Sequence, residues 1–207
     1  MSHLTRNTLI KALGLTLALG VASGCTPQTQ LLPSGSTNEP VTMGLSGSDF
    51  EQAASDAVQS MLVSGAVDRN DGKKNIMVVS TVLNDTMQRI DTDQLVKKIR
   101  VDLLRSGKVL TTTAIGLNGA EDKMTQAYAE LSQSRKIDRS SLVQQRLTAP
   151  NMSLSGKIIQ RNNRVDGNKQ LVEYYFQLTL TDLANGLAVW EGETPIRKLG
   201  SAKGTSW

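Results

Sequence analysis

The chain has 207 residues, of which 20% are charged and 39% hydrophobic, and its formal net charge is +4 at pH 7. Its single histidine, His3, and its single cysteine, Cys25, both belong to the N-terminal region. The remainder therefore lacks the groups for Ser-His-Asp or Cys-His catalysis and for Cys/His zinc sites. No Ser-x-x-Lys sequence, phosphate-binding loop or G-x-G-x-x-G motif is present. The composition leaves carboxylate chemistry or no chemistry, and we expect no metal and no cofactor.

The first two dozen residues predict a secretory signal peptide, residues 1–24. Arg6 and Lys11 flank the start of an apolar run of about eleven residues, which is shorter than the roughly 20 residues of a membrane-spanning helix. Small residues then lead directly to Cys25, an arrangement that resembles a bacterial lipobox, in which the cysteine is acylated. Thr26 follows rather than Asp, which indicates the outer membrane. We expect lipidation at Cys25; an ordinary signal peptide with an incidental thiol is the alternative.

The mature chain is less basic than the precursor. Removing Arg6 and Lys11 from the 23 basic residues leaves 21 against 19 acidic residues, a net charge of about +2. General nucleic-acid-binding proteins carry a clustered basic face, and this net charge is too small to indicate one. We therefore expect no nucleic-acid partner.

Residues 25–47 predict a flexible periplasmic tether behind the lipidated cysteine. Three of the five prolines lie here, among many Ser, Thr and Gly residues, and no apolar periodicity is present. Fully extended, such a segment spans at most about 75 Å. We expect the globular domain to begin at Ser48 and to cover residues 48–207.

The first half of the expected domain alternates helices and strands. Ser48 begins a capping box that predicts a helix over 49–63. The β-branched run 76–83 predicts a buried strand. Asp91 or Thr92 is expected to cap the next helix, which ends near Gly107, and a short strand is expected over 109–113.

The second half changes from helices to an antiparallel meander. A polar helix is predicted over 119–135 and a further helical turn over 141–147. Strands are predicted over 153–163, 171–183 and 187–199. The element order predicts an α+β fold, a single small domain with one mixed sheet packed by helices.

Paired carboxylates are the candidate catalytic groups, since glycosidases use two of them. The pairs are Asp91 and Asp93, Glu121 and Asp122, and Glu191 and Glu193. The first two pairs begin predicted helices, where negative charge stabilises the helix dipole. Glu191 and Glu193 are two residues apart in a predicted strand and so project to the same face. We interpret this face as solvent-exposed, which places Trp190 on the opposite face, in the core.

Three segments in this order resemble LpoB-type lipoproteins, which activate bifunctional penicillin-binding proteins. They are the strand-helix-strand unit 78–110, the polar helix after it and the closing hairpin 176–193. The specific pieces are Asn84-Asp85-Thr86, Arg105-Ser106-Gly107-Lys108-Val109, and Asn185-Gly186-x-x-Val189-Trp190.

The resemblance implies a small α+β domain like the N-terminal domain of TolB, and no enzymatic activity. It implies a lipoprotein that is anchored in the outer membrane, faces the periplasm and docks on a class A (bifunctional) penicillin-binding protein during cell-wall synthesis. We expect the protein to be a monomer. An assembly lipoprotein of an outer-membrane secretion or motility complex is the alternative, and a glycan hydrolase that uses Glu191 is a third hypothesis. For partner binding, we expect residues of the first β–α turn and the basic side of the second helix: Asn84, Asp85, Thr86, Lys97, Lys98 and Arg105.

Overall fold

A computed structural model describes residues 41–115, 121–143 and 146–204. The expected signal peptide, Cys25 and most of the expected tether lie outside the described residues. Within the described ranges, no helix is long and apolar enough to cross a membrane. The elements in chain order are α1 (Gly47–Val63), β1 (Asn75–Asp85), α2 (Thr92–Ser106), β2 (Val109–Thr111), α3 (Lys123–Ser132), a 3-10 turn (Arg139–Ser141), β3 (Met152–Asp166), β4 (Lys169–Asp182) and β5 (Leu187–Ser201).

The five strands form one mixed sheet in the order β2-β1-β3-β4-β5. β1 runs parallel to both β2 and β3, whereas β3, β4 and β5 form an antiparallel meander. The parallel pairs are joined by connections that carry helices, as parallel strands require. The predicted α+β fold, with one mixed sheet and a C-terminal meander, is therefore confirmed.

One face of the sheet carries the core. α1 packs against α2, β4 and β5, and α2 packs against β1 and β2. Alternate residues of β4 point to this face and are buried: Val172, Tyr174, Phe176, Leu178 and Leu180. Tyr174 and Phe176 are therefore aromatic core residues, because the strand period of two directs every second side chain towards the helices.

The start of the packed domain differs from the prediction. The N-cap of α1 is Ser46, not Ser48: its hydroxyl accepts from the N–H of Asp49 (3.3 Å), and Asp49 Oδ2 accepts from the N–H of Ser46 (2.7 Å). Leu45, which we assigned to the tether, is buried. Chain packing therefore begins before the boundary expected at Ser48.

α2 has the predicted ends. Asp91 is the N-cap, and its Oδ1 accepts from the N–H groups of Asp93 (3.0 Å) and Gln94 (3.3 Å). Gly107 ends the helix in the left-handed region (φ 69°). The acidic pair at this site stabilises a helix start, as predicted.

The connection between β2 and β3 is less helical than predicted. α3 covers only Lys123–Ser132, and no residue in it is buried; part of its predicted first turn lies outside the described residues. The predicted turn at 141–147 is wrong at residues 142 and 143, which are not helical. Val143 instead donates its N–H to the hydroxyl of Tyr128 (2.9 Å), so this contact replaces a helical hydrogen bond.

Candidate functional site

One concave site among the described residues is a cleft at the N-terminal ends of two helices and a neighbouring loop, which we call the loop cleft. It lies where the first turns of α1 and α2 meet the loop that follows β1, and its volume is about 180 Å³. Phe50, Ile90 and Leu95 supply its apolar surface. The charged and polar lining comprises Glu51, Gln88, Arg89, Asp91, Gln94 and Lys98, beside Gly47. The cleft therefore combines apolar, charged and polar side chains.

The loop after β1 is folded by its own polar side chains. Asn84 Oδ1 accepts from the backbone N–H (3.2 Å) and hydroxyl (2.7 Å) of Thr86, and Asn84 Nδ2 donates to the carbonyl of Gln88 (2.9 Å). Asp85 pairs with Lys157 (2.7 Å) on the open face of the sheet. The predicted residues Asn84 and Thr86 thus hold the loop in shape, and Met87 in this loop is an exposed large apolar side chain, 72% accessible.

The predicted basic residues of α2 do not form one patch. Lys98 lines the loop cleft and pairs with Asp102 (3.3 Å), whereas Lys97 is exposed on the adjoining helix side. Arg105 is seven residues beyond Lys98, about 10 Å further along the helix axis. It lines a separate groove between α1 and α2 with Ser55, Gln59 and Leu62 among its neighbours. The structure therefore brings Lys98 to the loop cleft and leaves Arg105 away from it.

Residues Met43–Ser46, which we call the leading segment, are held by three side chains of the domain. Gln88 accepts from the N–H of Leu45 (2.8 Å) and donates to its carbonyl (2.9 Å). Lys198 Nζ donates to the carbonyl of Gly44 (2.7 Å), and the Tyr174 hydroxyl donates to that of Met43 (3.1 Å). Sequence reasoning missed this site, although the apolar Met43 and Leu45 lie close together just before the predicted helix and could have indicated packing.

Tyr174, the core residue whose hydroxyl contacts the leading segment, has a perturbed pKa. Burial raises the pKa of its phenol above the usual value, and the nearby Asp49 carboxylate raises that pKa further. The hydroxyl therefore stays protonated at neutral pH and remains a hydrogen-bond donor to Met43.

The third carboxylate pair lies on the open face of the sheet. Glu191 accepts from the Thr179 hydroxyl (3.3 Å), and Glu193 accepts from the side-chain amide of Gln177 (2.8 Å). Both glutamates are exposed, as predicted. Trp190, by contrast, is partly buried and packs against the core. No group of three or more His, Cys, Asp or Glu side chains suited to a metal ion occurs in the described parts of the chain.

Two carboxyl groups with lowered pKa values, those of Asp71 and Asp138, stabilise the local turns in which they lie. Hydrogen bonding to Arg69 and to the N–H of Lys73 holds the pKa of Asp71 well below its usual range. The N–H and hydroxyl of Ser140 likewise lower the pKa of Asp138. Both groups are exposed, and each stabilises the turn in which it lies.

A family model for the peptidoglycan-synthase activator LpoB matches residues 49–196. The match covers most of the chain, so the protein belongs to the LpoB family of peptidoglycan-synthase activators. No curated protein sequence matches the chain.

Solved structures of family members resemble this chain at low identity. The C-terminal domain of Salmonella enterica LpoB is 16% identical, with a TM-score of 0.43 over 72% of this chain and 99% of that one. The Escherichia coli LpoB C-terminal domain is 18% identical, with a TM-score of 0.42 over 70% and 98%. An NMR structure of Escherichia coli LpoB is 15% identical, with a TM-score of 0.40 over 87% of each chain.

Proposed function

We propose that this protein is a non-catalytic outer-membrane lipoprotein that binds a class A penicillin-binding protein and activates it during cell-wall synthesis. The observation that carries the proposal is the match to the peptidoglycan-synthase activator family over residues 49–196. The absence of histidine and free cysteine from the expected mature sequence is compatible with this role. The family assignment does not favour the assembly-lipoprotein alternative.

The proposed anchor is an acylated Cys25, followed by the tether. Several acyl chains on one cysteine give stable membrane attachment, whereas one chain gives marginal binding. Because the leading segment packs on the domain, the tether available for reach ends near Thr42. The segment 26–42 then extends at most about 60 Å. The periplasmic distance to the synthase must be covered within that reach, or by extension of the synthase towards the outer membrane.

The proposed docking surface is the loop cleft together with the exposed Met87. Interface cores favour a buried apolar contact with a charged rim, and methionine is enriched there. The lining of the cleft includes an apolar surface, the cations Arg89 and Lys98, and the acidic residues Glu51 and Asp91. We propose that a complementary apolar side chain of the synthase enters the cleft, and that an acidic group beside it pairs with Lys98. Lys97 contributes to encounter through its charge.

The test uses the lipid-free chain from Thr26 onward with each bifunctional synthase of the same organism. Binding and the rate of glycan polymerisation are recorded together. We expect one synthase to bind and to accelerate. If no synthase binds or accelerates, the proposed function is wrong.

Two matched variants locate the surface. Lys98→Glu is expected to lower synthase affinity by about tenfold, since it removes a cation at the cleft and adds a repelling charge. Lys74→Glu makes the same charge change at an exposed position before β1 and away from the loop cleft, and we expect it to leave affinity within twofold. Equal losses in both variants would contradict the assignment of the cleft.

A further inference from the structure

We propose that the leading segment, Met43–Ser46, is a structural component of the docking site, and that Lys198 and Gln88 are the positioning residues that couple it to the loop cleft. The inference rests on the proposed function for its biological meaning. Its structural part, a coupling between the leading segment and the loop after β1, stands on contacts within this chain.

Gln88 belongs to both sites. Its side chain lines the loop cleft, and its amide forms both hydrogen bonds to the backbone of Leu45, at 2.8 and 2.9 Å. This geometry imitates a pair of strand hydrogen bonds, with a side-chain amide in the place of a second backbone. Leu45 is 6% exposed, so its N–H and carbonyl would be left without these partners if Gln88 moved, which is unfavourable for buried polar groups.

The leading segment in turn sets where Gly47 and Phe50 lie. Ser46 is the N-cap of α1 and forms the capping box with Asp49. Gly47 and Phe50, in the first turn of the same helix, line the loop cleft. The cleft therefore has one wall on the loop, through Gln88, and one wall on α1, and the leading segment contacts both.

Lys198 holds this arrangement from outside the cleft. The Lys198 side chain is 8% exposed, and its ammonium donates to the carbonyl of Gly44 (2.7 Å) and to Asp49 Oδ2 (2.5 Å). Lys198 does not line the loop cleft. A lysine is an expensive residue to bury without partners, and here both partners belong to the start of the packed chain. A substitution of Lys198 therefore alters the support of the leading segment without changing a residue that lines the loop cleft.

The coupling predicts that damage at Lys198 is transmitted to the loop. The N–H of Leu45 donates to Gln88 Oε1. In Lys198→Met, we expect this N–H to exchange with solvent about tenfold faster, because local opening of the leading segment becomes easier. We also expect faster exchange at the N–H of Gln88, which donates to Thr86 Oγ1 (3.2 Å) and does not contact Lys198. Residue-resolved hydrogen exchange by NMR on the chain from Thr26 onward measures both.

Two control variants separate coupling from general destabilisation. Gly156→Ala in β3 places a Cβ within 2.7 Å of Leu178 Cδ2 and 2.9 Å of the Gln177 carbonyl, so it destabilises the sheet away from the leading segment. Lys203→Met removes an exposed lysine near the C-terminus. In neither control variant do we expect the exchange rate of the Leu45 N–H to change relative to the exchange rates of N–H groups in the β-sheet.

The binding measurement then tests the docking role. Affinities are measured at a temperature where all variants are folded. Lys198→Met and Gln88→Ala are each expected to lower synthase affinity about fivefold. The double variant is expected to lower affinity by less than the product of the two single factors, because both residues act on one coupled unit. Gly156→Ala is expected to stay within twofold of the unmodified chain. The proposal is overturned if Lys198→Met speeds exchange at Leu45 but not at Gln88, or if affinity follows global stability alone. If the unmodified chain binds no synthase, the proposed function fails, and the exchange result alone decides the coupling.

Discussion

Lys198 and Asp49 form an ion pair across 149 positions of the chain, with Nζ 2.5 Å from Oδ2. The pair joins the edge strand β5 to the first turn of α1. Asp49 also accepts from the N–H of Ser46, so one carboxylate closes the helix cap and binds the lysine. The ion pair therefore links the start of the packed chain to its last strand.

Lys198→Met is expected to lower the free energy of unfolding by about 2 kcal/mol, since a hydrogen bond to a charged group is worth about 1.5–3 kcal/mol and Gly44 also loses its donor. Urea denaturation of the chain from Thr26 onward measures this loss. The matched control Lys203→Met is expected to change stability by less than about 0.5 kcal/mol, as exposed substitutions do. A loss of the same size in both variants would contradict the role of the buried pair.

Gly156→Ala is expected to cost about 1–3 kcal/mol of stability, the range for inserting a carbon into a well-packed region. The new Cβ would lie 2.9 Å from the carbonyl of Gln177, which is backbone and cannot rotate away, and 2.7 Å from Leu178 Cδ2. Thermal and urea unfolding measure the change. Gly167→Ala is the control, because a Cβ at that turn has no atom within 4 Å apart from those of Gly167 and its two chain neighbours. A larger loss there than at Gly156 would refute the steric explanation.

Stability is expected to fall at alkaline pH because of Tyr174. Its pKa is raised in the folded state by burial and by Asp49, so the unfolded chain releases this proton first. The contribution is complete below the ordinary tyrosine pKa of about 10 and is lost as the pH rises through the folded pKa. Urea unfolding at a series of pH values measures the slope.

The matched variant for this effect is Tyr174→Phe, which keeps the ring and removes the hydroxyl that donates to Met43. We expect it to cost about 1 kcal/mol at neutral pH, as for one hydrogen bond, and to reduce the alkaline slope. An unchanged slope in Tyr174→Phe would assign the effect to another group.

Lys98 and Arg105, two basic residues of α2, are expected to respond differently to charge reversal. Lys98→Glu changes the loop cleft, and Arg105→Glu changes the separate groove between α1 and α2. We expect synthase affinity to fall about tenfold for the first and less than threefold for the second. Titration calorimetry at low and moderate salt measures both, and a larger loss for Arg105→Glu would move the docking surface to that groove.

Local signals in the sequence were sufficient for the elements but not for all of their ends. A strand at β4, a helix cap at Asp91 or Thr92 and a helix end near Gly107 were predicted and are confirmed, with the cap at Asp91, because each depends on residues that are close together in the chain. The start of α1 was predicted wrongly, since Ser46 and Ser48 are both acceptable caps. The buried Leu45 and its hydrogen bonds to Gln88 favour the earlier start.

The sequence by itself determined the α+β order, the meander, the absence of histidine and free cysteine beyond residue 25, and the resemblance that the family match confirms. Only the tertiary structure decided which predicted residues meet: Lys98 lies at the loop cleft, Arg105 lies at a separate groove, and Asn84 and Thr86 fold the loop. It also decided that Lys198 and Gln88 hold the leading segment. The physical reason is distance along the chain. Helix periods and caps act over a few residues, whereas the partners of Leu45 and Gly44 lie 43 and 154 positions away and are selected only when the sheet and helices pack together.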